Sequence, residues 1–262
     1  MDWSPVALGV IEGITEFLPI SSTGHLLIAE HWLGARSDTF NIVIQAGAML
    51  AVTIVYWRRL VTLATSWREP ESRLYIGKLF IAFVITAALG LVAKKLGLAL
   101  PTTLSPVAWA LVIGGFWMMA AEWFAARRGD RSEVTWTVAV AVGLAQFVAG
   151  VFPGTSRSAA TIFAAMLAGT SNRSAATEFA FLVGIPTMYA ASGYELLNDF
   201  RHGNVHEDWV ALGVAFAVST ITAFVAIKWL LRYIQSHRFT VFAVYRIVFG
   251  IVLLAISAAG QA

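Results

Sequence analysis

The chain has 262 residues, of which 58% are hydrophobic and 13% charged, with 18 Lys and Arg against 15 Asp and Glu and no cysteine. A soluble domain carries about 25% charged residues, so this composition, with a mean hydropathy of +0.74, excludes an ordinary soluble enzyme and indicates an all-α polytopic membrane protein. Disulfide and thiol chemistry are excluded, and the net charge of +3 sits in loops, as a topology signal rather than a nucleic-acid-binding surface.

In chain order, "MDWSPVALGVIEG" lacks a basic n-region and reads as a first membrane segment, not a cleaved leader. The apolar stretch 3–33 is interrupted at "FLPISSTG". Uninterrupted spans are expected at about 39–57, 77–95 and 106–125. A second interrupted stretch, 136–169, breaks at "VFPGTSRS" and is followed by spans at about 176–195, 209–231 and 240–259. Each interrupted stretch is too long for one crossing, and each half is too short to cross alone. The expectation is therefore about six transmembrane helices plus two re-entrant helical hairpins, all in one membrane domain.

The basic residues orient this arrangement. With the N-terminus outside, the inside segments hold 12 Lys and Arg (Arg58, Arg59, Arg68, Arg73, Lys78, Arg127, Arg128, Arg131, Arg173, Lys228, Arg232 and Arg238). The outside segments hold 4, namely Arg36, Lys94, Lys95 and Arg201, as the positive-inside rule requires. Trp3, Trp57, Trp67 and Trp209 fall near span ends as interfacial anchors.

Shifting the sequence by 134 residues lays "GVIEGITEFLPISSTGH" (9–25) over "GLAQFVAGVFPGTSRSA" (143–159). Gly9 then meets Gly143, Glu12 meets Gln146, Pro19 meets Pro153, Ser22 meets Ser156 and Thr23 meets Arg157. Three spans follow each copy, and the copies start on opposite sides. The reading is an inverted-topology repeat, 3–125 and 136–259, whose broken tips meet near the midplane as in many transporter folds.

The tips carry the chemistry. Glu12 and Glu16, four apart, share a helix face where like charges repel. They require protonation, a shared proton, a basic partner or a divalent cation, and carboxylate oxygens suit Mg²⁺ or Ca²⁺. Ser21, Ser22 and Thr23 exceed what one helix cap needs, and a half-helix N-terminus favours an anion. His25 lies one turn further on. In the second tip Thr155, Ser156 and Ser158 surround Arg157, a cation in apolar sequence whose geometry suits phosphate; its structural alternative is an ion pair with Glu12 or Glu16. Glu178 is expected to pair with Arg173 or Arg246, and Arg246 to snorkel or pair. His202, His206 and His237 read as solvated loop residues.

The two motifs "EGITEFLPISSTGH" and "PGTSRSAAT", together with "TEFAFLVGIP" and the order of segments, resemble the bacterial undecaprenyl-pyrophosphate phosphatases, also called bacitracin-resistance proteins. The resemblance spans almost the whole chain. It implies hydrolysis of undecaprenyl pyrophosphate to undecaprenyl phosphate, recycling the carrier for cell-wall glycans. It also implies a multi-pass protein of the bacterial plasma membrane, a site facing the periplasmic or outer side, and divalent-cation dependence. Carried over by position, the motif glutamates are Glu12 and Glu16, also the expected metal ligands. The serines are Ser21 and Ser22, the histidine His25, and the arginine Arg157 between Ser156 and Ser158. Thr155 and Ala159 depart from the aromatic residue and glycine common in the family, which touches loop shape more than chemistry. The expected partners are the polyprenyl pyrophosphate and membrane lipid, with no nucleic acid and with a homo-oligomer left open. Ser22 is the candidate nucleophile, with Glu16 or His25 as its base, and Thr23 and Thr155 bind substrate. The rival from another class is a lipid transporter or flippase using the same cleft. The acid-phosphatase-like lipid phosphatases rank lower, since their Lys-x₆-Arg-Pro run does not occur here.

Overall fold

The computed structural model describes residues 3–98, 103–202 and 208–259; His206 lies outside them. Among the described residues the regular elements are eleven helices: α1 (Ser4–Thr15), α2 (Ser22–Leu33), α3 (Asp38–Val55), α4 (Trp57–Thr65), α5 (Pro70–Lys95), α6 (Leu104–Ala125), α7 (Trp136–Val151), α8 (Arg157–Ala168), α9 (Arg173–His202), α10 (Trp209–Ser236) and α11 (Thr240–Ala259).

Both expected breaks are present. α1 starts with Pro5 in its first turn, where a missing N–H has no bond to lose. After its end at Thr15 the chain turns through buried Phe17, Leu18 and Ile20. α2 then starts from Ser21, whose hydroxyl accepts from the Gly24 N–H. The second break has the same construction. α7 ends at Val151, and α8 starts from Ser156, whose hydroxyl accepts from the Ala159 N–H. Ser21 and Ser156 are the two non-glycine residues with positive φ among those described, at 75° and 67°. The matching caps correct the sequence register: Ser156 corresponds to Ser21, not Ser22, an offset of 135 residues. The two turns differ in length by one residue, the proline preceding the serine cap by two positions in the first (Pro19, Ser21) and by three in the second (Pro153, Ser156). Helices of 12 residues such as α1, α2 and α8 rise only ~18 Å, well short of the ~30 Å hydrocarbon layer.

Five helices, α3, α5, α6, α10 and α11, are long and apolar enough to cross a membrane. The sixth expected span lies inside α9, which is 30 residues long, contains Pro186, and is not among those five. Its first half is buried, with Thr177, Phe179 and Val183 fully inaccessible, and it packs on α3, α5 and α8. Arg173, Glu178 and Glu195 of this helix are each ion-paired. Arg173 donates to the buried Glu122 at 2.6 Å, and Lys94 donates to Glu195 at 2.7 Å. Glu178 accepts from Arg59 at 2.9 Å and reaches neither Arg173 nor Arg246. The reason is α4, an amphipathic turn of helix that brings Arg59 to α9 and that span-length reasoning passes over. His202 closes α9 rather than sitting in a loop, while His237 caps α10 and stacks on Tyr233.

Helix packing repeats itself with the roles exchanged. α1 packs on α10 as α7 packs on α5. A Cβ on Gly9 would lie 2.6 Å from the Ala215 carbonyl, and one on Gly143 would lie 2.7 Å from that of Ala82. Between α6 and α11, a Cβ on Gly115 would lie 2.8 Å from the Ala243 carbonyl and one on Gly250 the same distance from Ala108. Backbone-to-backbone approach through small residues is a common means of helix association in lipid. Gly143→Leu is expected to lower the thermal midpoint in detergent, reflecting about 1–3 kcal/mol of overpacking. Gly213→Leu, where a Cβ meets open space, should leave it unchanged; equal midpoints would refute this account of the α5–α7 contact.

Candidate active site

Two polar turns in an apolar surrounding need partners for their backbone groups. Here they share one. Arg246 of α11 is fully buried and neither snorkels nor meets a carboxylate. Its guanidinium donates to the carbonyls of Thr155 at 2.9 Å, Gly154 and Ala110 at 3.1 Å, and Pro19 at 3.5 Å, and its Nε to Leu111 at 3.5 Å. One side chain therefore ties the first turn, the second turn and α6 together. Gly114 makes room, since a Cβ there would lie 2.3 Å from the Arg246 Nη2. A second tie is direct: the Ser158 hydroxyl donates to the Leu18 carbonyl at 3.2 Å and lies 3.1 Å from the Ser156 hydroxyl.

The joined turns enclose a polar cavity of about 40 Å³ lined by Glu16, Ser21, Ser22, Thr23, Gln45, Gly154, Ser156 and Arg157. Next to it is one of about 20 Å³ reached by Glu16, Gln146, Arg157, Ser158 and Thr161. The Ser22 hydroxyl donates to Glu16 Oε2 at 2.6 Å, a nucleophile-and-base distance. Ser22 and Arg157 hold matching places, each the first residue of a 12-residue half-helix, so the N-termini of α2 and α8 both abut the cavity. The Arg157 guanidinium makes no hydrogen bond, and no ion pair within 4.0 Å, among the described residues, so the alternative structural pair with Glu12 or Glu16 is not formed; only its backbone carbonyl is engaged, accepting from the Thr161 hydroxyl at 2.8 Å.

His25 stands apart from this pair. Its Nδ1 is 2.7 Å from the Ser21 carbonyl and its Nε2 2.7 Å from the Tyr245 hydroxyl, while its ring stacks on Phe249. With both nitrogens engaged, it holds the Ser21 backbone, and of the two bases expected for Ser22 it is Glu16, not His25, that meets the hydroxyl. Thr155 also departs from expectation: its carbonyl belongs to Arg246, and it lines a separate apolar groove instead of the polar cavity. Thr23 is exposed at the rim.

Glu12 is 1% exposed, and neither of its carboxylate oxygens has a hydrogen-bond partner among the described residues; the same holds for the side-chain N and O of Gln146. No group of three or more His, Cys, Asp or Glu close enough to hold a metal occurs among the described residues. The oxygens that are present, two on Glu12, the remaining one on Glu16 and the amide oxygen of Gln146, are of the kind a hard cation takes.

Residues 5–252 match the family model described as "Bacitracin resistance protein BacA". The chain belongs to this family. It is 70% identical over 262 residues to a protein of Rhizobium etli (strain CIAT 652) named undecaprenyl-diphosphatase, covering 99% of each chain. It is 62% identical over 252 residues to one of the same name from Xanthomonas oryzae pv. oryzae (strain PXO99A), covering 96% of this chain and 95% of the relative. These BacA relatives are named for a phosphatase, which does not favour the flippase reading.

Sequence reasoning missed three residues of this BacA site. Gln45 and Gln146 are polar residues inside apolar stretches, and that is the signal that marks them. Arg246 stands out in the sequence as an intramembrane charge, but its partners are carbonyls, which no side-chain pattern reveals. Arg246→Lys is expected to raise amide hydrogen exchange in both turns, 17–24 and 152–158, because an ammonium cannot span carbonyls from three segments. Exchange raised in one turn alone, or in neither, would contradict the shared role.

Proposed function

We propose that this protein is a multi-pass plasma-membrane phosphatase that hydrolyses undecaprenyl pyrophosphate to undecaprenyl phosphate and phosphate, with its site open to the outer side. Such recycling of the carrier serves cell-wall glycan synthesis and accounts for resistance to bacitracin. The observation that carries the reading is the 2.6 Å Ser22–Glu16 hydrogen bond in a cavity shared with Arg157, whose guanidinium has no hydrogen-bond or ion-pair partner among the described residues. Family membership supports the substrate. The outward site is supported by the excess of Lys and Arg on the opposite side of the spans. The two hairpins are taken as re-entrant halves of an inverted repeat, supported by their length and by the exchanged packing of Gly9 with Gly143 and Gly115 with Gly250.

In this reading the pyrophosphate head enters between the tips past exposed Thr23 while the prenyl chain stays in lipid. The half-helix N-termini and Arg157, whose unengaged guanidinium is free to turn onto the terminal phosphate, position and neutralise it. Glu16 takes the Ser22 proton as Oγ bonds to the terminal phosphorus. The bond from that phosphorus to the bridging oxygen breaks, and undecaprenyl phosphate departs. Water then attacks the phosphoserine, its protons stay with the phosphate, and Glu16 returns a proton to the leaving Ser22 Oγ. Ser21 and Ser156 shape the two turns, Ser158 locks one to the other, and His25 keeps Ser21, and with it the Ser22 N–H, in place.

Glu12 and Glu16, with Gln146, would hold a divalent cation such as Mg²⁺ or Ca²⁺. When bound, it would neutralise charge on the phosphate oxygens.

Purified protein in detergent should release phosphate from undecaprenyl pyrophosphate. Ser22→Ala, Glu16→Gln and Arg157→Ala should each lower the rate on the order of 10²–10³-fold, the range seen when one charge-stabilising or nucleophile-activating group is lost. Acid quenching during turnover of substrate labelled in its terminal phosphate should leave label on Ser22. Label-free protein during rapid turnover would replace the covalent step by direct attack of water. The metal reading has its own test: Mg²⁺ or Ca²⁺ should raise the thermal midpoint of the wild type and not that of Glu12→Gln, and equal shifts would remove Glu12 as a ligand.

A further inference from the structure

A third cavity, much larger than the two polar ones, lies across the 152–156 turn from them. It is a groove of about 570 Å³ between α6, α7 and α8, within the range of a drug-sized ligand site. Its walls are Trp109, Trp117 and Phe152, each well exposed, and its floor is Ala110, Gly114 and Ala160. One end meets the polar cavity across the turn: Val148, Phe152 and Thr155 face the groove, while Ala149, Gly154, Ser156 and Arg157 face the cavity.

The floor residues show that the groove is a specific opening. An offset of 135 residues relates Ser21 to Ser156 and Gly115 to Gly250, and it relates Ala160 to His25, Ala110 to Tyr245 and Gly114 to Phe249. Beside α2 those three positions are filled by rings stacked on one another, with centroids 4.4 Å apart for His25–Phe249 and 5.6 Å for Tyr245–Phe249. Beside α8 three small residues leave the corresponding space open. The same frame thus carries one plugged and one open groove, and the open one ends at Thr155, on the turn that leads into Arg157.

We propose that this groove seats the first isoprene units of the substrate's prenyl chain, with the pyrophosphate across the 152–156 turn at Arg157 and Ser22. The proposal rests on the phosphatase reading above. It commits to a polyprenyl chain, and not to a bilayer acyl chain, because the groove and the polar cavity are lined by interleaved residues of the one 148–157 segment, which places a headgroup in the cavity and its own chain in the groove. Its surface is apolar and its walls are aromatic, which suits a branched, unsaturated hydrocarbon whose burial is favourable in proportion to area.

The test compares undecaprenyl pyrophosphate (C55) with farnesyl pyrophosphate (C15) on wild type, Ala164→Trp, which fills the inner end of the groove, and Val225→Trp, on the exposed face of α10. In Ala164→Trp the ratio of kcat/KM for C55 to that for C15 should fall on the order of tenfold, equivalent to about 1.4 kcal/mol of lost chain contact, mainly through KM for C55. Val225→Trp should keep the wild-type ratio. An unchanged ratio in Ala164→Trp, or an equal fall in Val225→Trp, overturns the proposal. A variant that misfolds is replaced by labelling of the wild type with a diazirine-bearing polyprenyl phosphate. Label on α6, α7 or α8, displaced by excess polyprenyl phosphate, supports the groove. Label elsewhere, or displaced equally by phosphatidylglycerol, overturns it. Failure of wild type to cleave either substrate would instead strike the phosphatase reading itself.

Discussion

The guanidinium of Arg246 is the constraint on which the rest of this structure hangs. An interrupted helix in a membrane leaves carbonyls that cannot turn to water, and each unpaired group costs several kcal/mol. A buried arginine without a partner is costlier still. Placing five N–H donors among carbonyls of Pro19, Ala110, Leu111, Gly154 and Thr155 answers both costs at once. It also fixes the two turns against each other, although they lie more than 130 residues apart in the chain. The positive φ of Ser21 and Ser156, a conformation costing of order 1–3 kcal/mol for a residue with a side chain, persists because the surrounding bonds over-determine it.

The frame is near-symmetric and the site it holds is not. The two half-helices begin alike, with a serine cap in the same unusual conformation, and the glycine contacts that seat them are interchangeable. The residues at matching positions differ in the way the chemistry needs. Ser22 stands opposite Arg157, one offering a hydroxyl and the other a positive charge. Glu12 has its counterpart in the neutral Gln146, which avoids a third carboxylate in a cavity already holding Glu16. His25 has its counterpart in Ala160, so that one flank is filled by rings and the other is open to a chain. Two half-helix N-termini converge on one cavity, and matching positions there hold different groups, a hydroxyl on Ser22 and a guanidinium on Arg157.

Burial arranges these groups by task. Glu12 and Ser21 are almost fully inaccessible and Ser22 and Arg157 are partly accessible, so the groups assigned to the phosphate lie toward the rim and those assigned to holding the site lie behind them. His25 and Ser158 belong to the holding set: one bonds the Ser21 carbonyl and the other the Leu18 carbonyl, and neither meets the Ser22 hydroxyl.

Hydropathy, the two proline-and-hydroxyl interruptions and the distribution of Lys and Arg were enough to determine a helical membrane protein with two broken hairpins and to mark Glu12, Glu16, Ser21, Ser22, His25 and Arg157. These features are local, and the physics behind them, the transfer cost of a polar group and the length of a helix, acts residue by residue. Tertiary structure alone decided which of the marked residues touch. It put Glu16 and not His25 on Ser22, gave Glu178 to Arg59, moved Thr155 out of the polar cavity and shifted the register of the second turn by one residue. It also gave Arg246 its role, because backbone carbonyls are the same in every sequence and become a binding site only when folding brings three segments around one cation.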